Sequence, residues 1–269
     1  MKCANCGLAP AISYDGYCEN CSEWGQQAPA WPAAPAVQYS GNATYKDPGG
    51  LAVAVIVLLA CGIAVDLYSL AAAANRLLVA NALLSDPFGV SDTRLDTADG
   101  LYALSAALQI LALLVTGVLF IVWFSRVRVN AEYFDAAGQR KSRGWAVGAW
   151  FTPVVNLWFP KQIANDIWDA STPSHPDGSP ARAPRTLLNV WWTLWVTTMI
   201  LDRILSRLFD SDTAEALRDG SVAAIINDGV SIAAAVFAIL VVRKLSDRQR
   251  AKVYYGQTVP YGPAPVSSQ

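Results

Sequence analysis

Residues 144–168 read GWAVGAWFTPVVNLWFPKQIANDIW, and the placement of this stretch decides the fold. It is too apolar for an ordinary surface loop. It is also too short between its polar flanks, and too broken by Pro153 and Pro160, to form one regular membrane-spanning helix. The sequence on either side must therefore determine on which face of a membrane it lies.

The composition predicts an all-α membrane protein. Of the 269 residues, 54% are hydrophobic and only 15% are charged, which is unusual for a soluble domain of this length. The apolar residues concentrate in four windows, each close to the roughly 20 residues that a helix needs to cross the hydrocarbon core. The third window is the shortest apolar run, because Asp202 and Arg203 end it. We expect four transmembrane helices, at residues 51–74, 101–124, 187–205 and 222–242.

The distribution of Lys and Arg predicts the orientation, because cytoplasmic loops retain positive charge. The connection between the second and third windows is rich in both: Arg126, Arg128, Arg140, Lys141, Arg143, Lys161, Arg182 and Arg185. So is the segment after the fourth window: Arg243, Lys244, Arg248, Arg250 and Lys252. The other two connections have fewer basic residues and many acidic ones. We expect a multi-pass protein of the plasma membrane whose two termini, and residues 144–168, lie on the cytoplasmic side.

The first 24 residues contain four cysteines in two close pairs, Cys3 with Cys6 and Cys18 with Cys21. Two pairs of this spacing are typical of a four-cysteine zinc ribbon, in which four thiolates surround one Zn2+. A segment this small also has no apolar core to hold it folded without metal. The alternative, two disulfides, requires an oxidising compartment and disagrees with a cytoplasmic amino terminus. We expect a structural Zn2+ at these cysteines.

Two further segments and one cysteine complete the domain plan. Residues 25–50 are a Pro/Ala/Gly-rich linker, and residues 253–269 are expected to be a disordered tail after a membrane domain at 51–252. Acidic residues surround the paired cysteines, so the module lacks the basic face that nucleic-acid binding requires, and a cytoplasmic protein is the expected partner. Cys61, beside Gly62 in the first window, is expected to be a small buried packing residue.

Polar side chains recur at one depth in the four windows. At about 1.5 Å per residue, Asp66, Gln109, Asp202 and Asp228 all fall roughly 8 to 12 Å below the outer boundary of the hydrocarbon core. Ionisable groups are costly there, so these side chains should face the interior of the bundle and find partners. The nearest candidate partners are Arg203 and Arg76. The layer is either a hydrogen-bonded structural feature or a proton or cation site.

Because residues 144–170 must enter and leave on the cytoplasmic side, they are expected to form a kinked re-entrant or interfacial hairpin. Thr152 followed by Pro153 is the pattern of a helix start, with the hydroxyl as N-cap. Pro160 then interrupts the chain, with Asn156 near the tip, and an amphipathic helix suited to the membrane interface follows. Four tryptophans are expected either to anchor at the headgroups or to pack against the bundle: Trp145, Trp150, Trp158 and Trp168.

The same residues resemble a known family. The run GWAVGAWFTPVVNLWFPKQIANDIWDAS is similar to the hallmark of the bacterial domain of unknown function 4328, and the resemblance covers about residues 51–252. Most of its weight lies on Gly144, Trp145, Trp150, Pro153, Asn156 and Pro160. The resemblance implies a multi-pass membrane protein of a kind common in actinobacteria, some members having a zinc-ribbon-like amino terminus. It implies no activity and no catalytic residue.

The leading functional hypothesis is a non-enzymatic scaffold or sensor, in which the cytoplasmic zinc ribbon binds a partner and the hairpin and basic loop bind the lipid bilayer. The alternative is a transporter or channel-like protein for an ion or small solute, which uses the polar layer and forms a homo-oligomer to complete a pathway. An enzyme acting on lipid ranks third, since the sequence has one histidine, His175, and no phosphate-binding or nucleophile motif. Convergence of the polar residues on one cavity would favour transport.

Overall fold

A computed structural model of the protein describes residues 2, 44–173, 183–208 and 213–258. The larger of its two compact units consists of Gln38–Pro173 and Pro180–Tyr255. The smaller consists of Met1–Val37, Ser174–Ser179 and Gly256–Gln269 and lies almost entirely outside the described residues. The expected zinc ligands and most of the expected linker also lie outside the described residues, namely Cys3, Cys6, Cys18 and Cys21 and residues 25–43.

Between residues 44 and 258, the regular elements of the described part are all helical. They are α1 (Gly49–Ser85), α2 (Asp92–Phe134), α3 (Trp145–Phe151), a short 3-10 helix (Val155–Leu157), α4 (Phe159–Ala170), α5 (Thr186–Leu208) and α6 (Ala214–Thr258). The all-α class predicted from the composition is therefore confirmed for this part of the chain.

Three of these helices are long and apolar enough to cross a membrane, namely α1, α2 and α6 as far as Tyr254. The prediction of four spans is not supported, because α5 is not among them. The 23 residues of α5 include Asn189, several threonines and three tryptophans before the charged pair of Asp202 and Arg203. These side chains interrupt the apolar run of α5, which therefore has no 18-residue stretch as apolar as those of the other three helices.

The spanning helices are longer than the predicted windows. Helix α2 has 43 residues and is therefore about 64 Å long, roughly twice the thickness of the hydrocarbon core. Helix α6 continues to Thr258, so the first residues of the predicted disordered tail are helical. The extra turns at the carboxyl ends of both helices contain basic residues, which are the residues that the predicted orientation assigns to the cytoplasmic side.

The turn between α3 and α4 differs from the prediction. Thr152 ends α3 instead of beginning a helix, since its hydroxyl donates to the carbonyl oxygen of Gly148 at 2.8 Å. Val154 then has φ 67° and ψ −50°, and the N–H of Val155 donates to the carbonyl oxygen of Pro153 at 2.7 Å. This geometry is a γ-turn of the strained type, in a left-handed region that a β-branched residue rarely adopts.

The sequence predicted that Pro160 interrupts a helix, and this prediction was wrong. Pro160 lies in the first turn of α4, where its missing N–H has no intrahelical acceptor to satisfy. The proline therefore helps to start α4 after the 3-10 helix. Pro153 thus lies between helices and Pro160 lies in the first turn of one, and neither breaks a hydrogen-bonded ladder.

Helix α4 lies in the protein core instead of only at a membrane surface. Ile163, Ile167 and Trp168 are almost fully buried, and they pack in one cluster with Trp123 of α2 and Leu245 of α6. The amphipathic pattern of α4 therefore reflects burial against protein, and Trp168 is not a headgroup anchor.

The prediction that Cys61 is a buried packing residue was also wrong, because this residue is exposed on α1.

A buried pair of amides fixes the same end of the bundle. Gln249 of α6 donates to the carbonyl oxygen of Val127 at 2.9 Å and to the hydroxyl of Ser171, which follows α4, at 3.1 Å. Its Oε1 accepts from Asn130 Nδ2 at 2.9 Å. Asn130 and Gln249 are both fully buried, so the pair joins α2, α4 and α6 through satisfied polar groups.

Candidate functional site

The centre of the candidate site is one amide that joins two carboxyl groups from different helices. The side-chain nitrogen of Gln109, on α2, donates to Asp66 Oδ1 on α1 at 3.0 Å and to Asp228 Oδ1 on α6 at 2.9 Å. Asp66 Oδ2 also accepts from the hydroxyl of Ser231 at 3.0 Å. Asp66 is 8% exposed and Asp228 is 4% exposed. The structure thus brings together three of the residues in the predicted layer.

The serines around this centre were not predicted from the sequence. Ser231 contacts Asp66, and one turn away Ser105 donates to Ser69 at 3.3 Å in a buried contact. A signal for them exists, because Ser69 and Ser231 lie three residues after Asp66 and Asp228 and therefore share their helix faces. Serine is tolerated in apolar helices, so its presence alone gave no reason to single it out.

The predicted arginine partners are not used at this centre. Arg76 pairs with Asp99 at 2.8 Å, and its guanidinium lies over the ring of Tyr102 at 4.8 Å. Arg203 is exposed and is not one of the residues that line the cavity described below. The carboxyl groups are therefore held by an amide and a hydroxyl instead of by cations.

Asp202 lies at the edge of the layer. Its Oδ1 accepts from Asn227 Nδ2 at 2.7 Å, and its side chain is exposed, whereas Asp66 and Asp228 are buried. Two buried oxygens in this region accept no hydrogen bond from the described residues, namely Asp228 Oδ2 and Asn227 Oδ1. Unsatisfied buried acceptors are rare in proteins and mark places where an unseen donor or cation could bind.

A cavity of about 670 Å³ lies next to these groups. Its polar end contains Asp66, Gln109 and Asp228, together with Asp202, Asn227 and Ser231. Its middle is walled by small residues that include Gly62 and Gly117, and a Cβ added at either glycine would meet no atom within 4 Å. The polar layer therefore faces an open space between the helices and is not filled by packed side chains.

The other end of the cavity is aromatic, and it is where the hairpin meets the bundle. It is lined by Phe120, Trp150, Trp191 and Trp195. The ring of Trp150 packs edge-on against Phe120 at 5.5 Å and Trp195 at 5.6 Å. The indole N–H of Trp150 donates to the carbonyl oxygen of Ala146 at 3.1 Å, so this ring offers the cavity only apolar surface.

The other hairpin residues singled out in the sequence hold the turn and do not line the cavity. Gly144 precedes α3, and Trp145 packs edge-on against Phe159 of α4 at 5.1 Å. Pro153 and Asn156 lie in the turn, where the N–H of Asn156 donates to the carbonyl oxygen of Thr152 at 3.0 Å. Trp145 and Trp158 are exposed and remain available as membrane anchors, whereas Trp168 is buried.

These hairpin residues lie within a region that matches a family model. The model, described as a domain of unknown function (DUF4328), matches residues 86–247, which is more than half of the chain. The chain belongs to the DUF4328 family. No curated protein and no solved structure matches the chain.

The DUF4328 match begins after α1, so the site is assembled from residues inside and outside it. Gln109, Asp202 and Asp228 lie in the matched region, and Asp66 lies before it. Within the described residues, no group of three or more His, Cys, Asp or Glu is placed to hold a metal ion. In the described part of the DUF4328 domain, the candidate site therefore consists of carboxyl and amide groups that are too few to form a metal centre of three or more such ligands.

The acidic residues of α4 are engaged in ion pairs. Asp166 binds Arg140 at 2.8 Å, and Asp169 pairs with Arg185. Lys161, near the start of α4, donates to Asn165 Oδ1 at 2.8 Å. Burial, with a smaller contribution from the positive charge of Arg185, lowers the pKa of Lys161 to about 8.

Proposed function

We propose that this DUF4328 protein is a non-enzymatic integral membrane protein that binds a cation or small cationic solute in the cavity and moves it across the membrane. The observation that carries the proposal is the joining of Asp66 and Asp228 through Gln109 at the edge of an open cavity. It favours the second of the two functions expected from the sequence, because the polar groups converge on a space that a ligand can enter.

The cost of burying the carboxyl groups supports this function. Acidic groups within a bilayer are expensive and usually mark an ion or proton pathway. Among the described residues, no lysine or arginine lines this cavity. Asp228 Oδ2 also accepts no hydrogen bond from the described residues. A proton or a bound cation would supply the positive charge that the site lacks.

We further propose that α5 crosses the membrane as a fourth helix, with both chain termini in the cytoplasm and the plasma membrane as location. Two contacts support this arrangement. Near its beginning, Leu188 is buried in the same cluster as Trp168 of the hairpin. Near its end, Asp202 binds Asn227 of α6 beside the polar layer. Asp202 lies 14 positions after Leu188, which corresponds to about 21 Å, most of the thickness of the hydrocarbon core.

A sensor role for the amino-terminal segment is a second candidate, and one contact favours it. Asn130 accepts from the backbone N–H of Lys46 at 3.0 Å and donates to the carbonyl oxygen of Lys46 at 2.8 Å. The end of the expected linker is therefore bound to the cytoplasmic end of α2. In this proposal, a Zn2+-binding ribbon that recruits a partner protein would act on the membrane domain through Lys46.

The transport proposal is tested with the purified full-length protein in lipid vesicles. Entry of protons, rubidium and choline is followed separately, with a pH-sensitive dye inside the vesicles and with radiolabelled ions. We expect flux of at least one of these cations to fall about tenfold or more in the double variant D66N/D228N. The matched control is Asp99→Asn, which removes a carboxyl group of α2 that pairs with Arg76 outside the cavity. Equal flux of all three cations through wild type and the double variant would overturn the proposal.

A further inference from the structure

We infer that the ligand of this cavity is a lipophilic organic cation, with its charged centre beside Asp66 and Asp228 and its apolar body between the aromatic rings of the opposite end. This inference rests on the proposed function of the same cavity and specifies its substrate class. It follows from the charge, the size, the aromatic lining and the accessibility of the cavity.

The charge of the lining excludes anions. Asp66, Asp202 and Asp228 are its ionisable residues among the described ones, and no basic side chain accompanies them. A carboxylate or phosphate in the cavity would meet like charges without a counter-ion, which is strongly unfavourable at low dielectric. A zwitterion would leave its negative group unpaired. A cation completes the site, because Asp228 Oδ2 is buried and receives no hydrogen bond from the described residues.

The size of the cavity indicates more than an inorganic ion. Its volume of about 670 Å³ lies within the roughly 300–1,000 Å³ typical of sites for small organic molecules. Gln109 lies at the polar end and Phe120 at the aromatic end of the same helix, eleven residues apart, which corresponds to about 16 Å. A bare cation held at the carboxyl groups would leave the apolar part of this length unfilled.

The aromatic end matches a ligand with a flat or bulky apolar body. Trp150, Trp191 and Trp195 line the cavity. Trp150 and Trp191 pack against Phe120, and Trp195 packs against Trp150, so these contacts keep the rings in fixed orientations. Aromatic faces attract organic cations and stack on apolar rings, and each such contact contributes about 0.5–2 kcal/mol. The carboxyl end and the aromatic end therefore select for the same class of molecule from opposite sides.

The wall formed by α2 explains how a lipophilic ligand enters. Ile110 and Leu113 line the cavity, and they are 61% and 69% exposed, so this wall also borders the outer surface of the membrane domain. In a bilayer that surface faces the lipid chains. A lipophilic cation concentrates in the membrane and can reach the cavity from there.

Binding of radiolabelled tetraphenylphosphonium to the full-length protein in lipid nanodiscs tests the inference. We expect saturable binding by wild type, and an affinity about tenfold or more weaker in each of Asp228→Asn and Trp195→Ala. Two matched controls, Asp99→Asn and Trp145→Phe, change the same residue types outside the cavity and should bind as wild type does. Tetraphenylborate has the same shape and the opposite charge, and it should show no saturable binding.

The outcomes separate this inference from the proposed function. If D66N/D228N abolishes flux of protons, rubidium or choline while wild type does not bind tetraphenylphosphonium, the ligand class is wrong and the transport function stands. If neither flux nor binding depends on Asp66 and Asp228, the transport function and the ligand class are both wrong. Equal binding of the phosphonium and the borate, or equal binding by wild type and Trp195→Ala, would show partition into lipid and would overturn the inference.

Discussion

Asn130 binds both backbone groups of Lys46, accepting from its N–H at 3.0 Å and donating to its carbonyl oxygen at 2.8 Å. Replacing Asn130 with Ala should lower the free energy of unfolding by about 3 kcal/mol, because the buried Oε1 of Gln249 and the N–H of Lys46 also lose their partner. Denaturant unfolding in detergent measures the change. Asp247→Asn, which removes an exposed ion pair with Arg250, should change stability by less than about 0.5 kcal/mol. Similar values for the two variants would contradict the structural role of Asn130.

Because of the γ-turn at Val154, replacing valine with glycine should change the free energy of unfolding in opposite directions at this position and inside α3. Val154→Gly should raise the free energy of unfolding by about 1 kcal/mol, because glycine adopts φ 67° without strain and the side chain is 63% exposed. Val147→Gly, at an exposed position inside α3, should lower it by about 1 kcal/mol, because glycine is unfavourable within a helix. Loss of stability in both variants would show that the turn is not strained.

Gly117 lies in the wall of the cavity, where an added Cβ meets no atom within 4 Å. Gly117→Leu should fill part of the cavity and weaken tetraphenylphosphonium binding about tenfold or more without loss of stability. Gly100 of α2 has equally open surroundings but does not line the cavity, so Gly100→Leu is the matched control and should leave binding unchanged. Binding isotherms and thermal unfolding of the two variants decide the question. Unchanged binding in Gly117→Leu would place the ligand elsewhere.

The low pKa of Lys161 predicts a dependence of stability on pH. With a folded-state pKa of about 8, below the unfolded value of 10.5, the unfolded chain binds more protons than the folded chain between these two pH values. Stability should therefore rise as the pH increases from about 8 towards 10.5. Thermal unfolding of Lys161→Met should show a smaller rise over this range than wild type, because methionine does not titrate. Parallel curves for the two proteins would mean that Lys161 titrates normally.

The four amino-terminal cysteines predict that the protein binds Zn2+. The purified protein should contain one Zn2+ per chain, and Cys3→Ser or Cys18→Ser should lose it, because four thiolates complete the tetrahedral shell. Cys61→Ser is the matched control, since Cys61 is exposed on α1 and should leave the zinc content unchanged. Elemental analysis by mass spectrometry measures the content. Full zinc occupancy in Cys3→Ser would rule out the four-cysteine site.

The sequence predicts the class of this fold well because long apolar runs with few charges mark membrane-spanning helices directly. The depth estimate placed Asp66, Gln109 and Asp228 near one level, and in the structure Gln109 bonds both carboxyl groups. The identity of the other partners was not predictable. An arginine is easy to notice as a counter-ion, whereas Ser231 acts through one hydroxyl and resembles any other small helical residue.

The hairpin shows a second limit. Thr152 followed by Pro153 is compatible with a helix start, but the same hydroxyl can bind the carbonyl four residues earlier and end a helix, as it does here. Trp150 of α3 packs against Trp192, a contact distant in sequence that the local pattern around Thr152 does not reveal. Trp168 is a similar case, because an amphipathic helix shows the same pattern whether its apolar face meets lipid headgroups or a protein core.

The length of α2 has a mechanical consequence. Gln109 and Asn130 lie on one unbroken helix, 21 residues or about 31 Å apart, and their side chains point within about 60° of each other around its axis. A turn of α2 about its axis that withdrew Gln109 from Asp66 and Asp228 would therefore also withdraw Asn130 from Lys46. The hydrogen bonds of Gln109 and Asn130 therefore fix the same rotational position of α2 at two levels along its length.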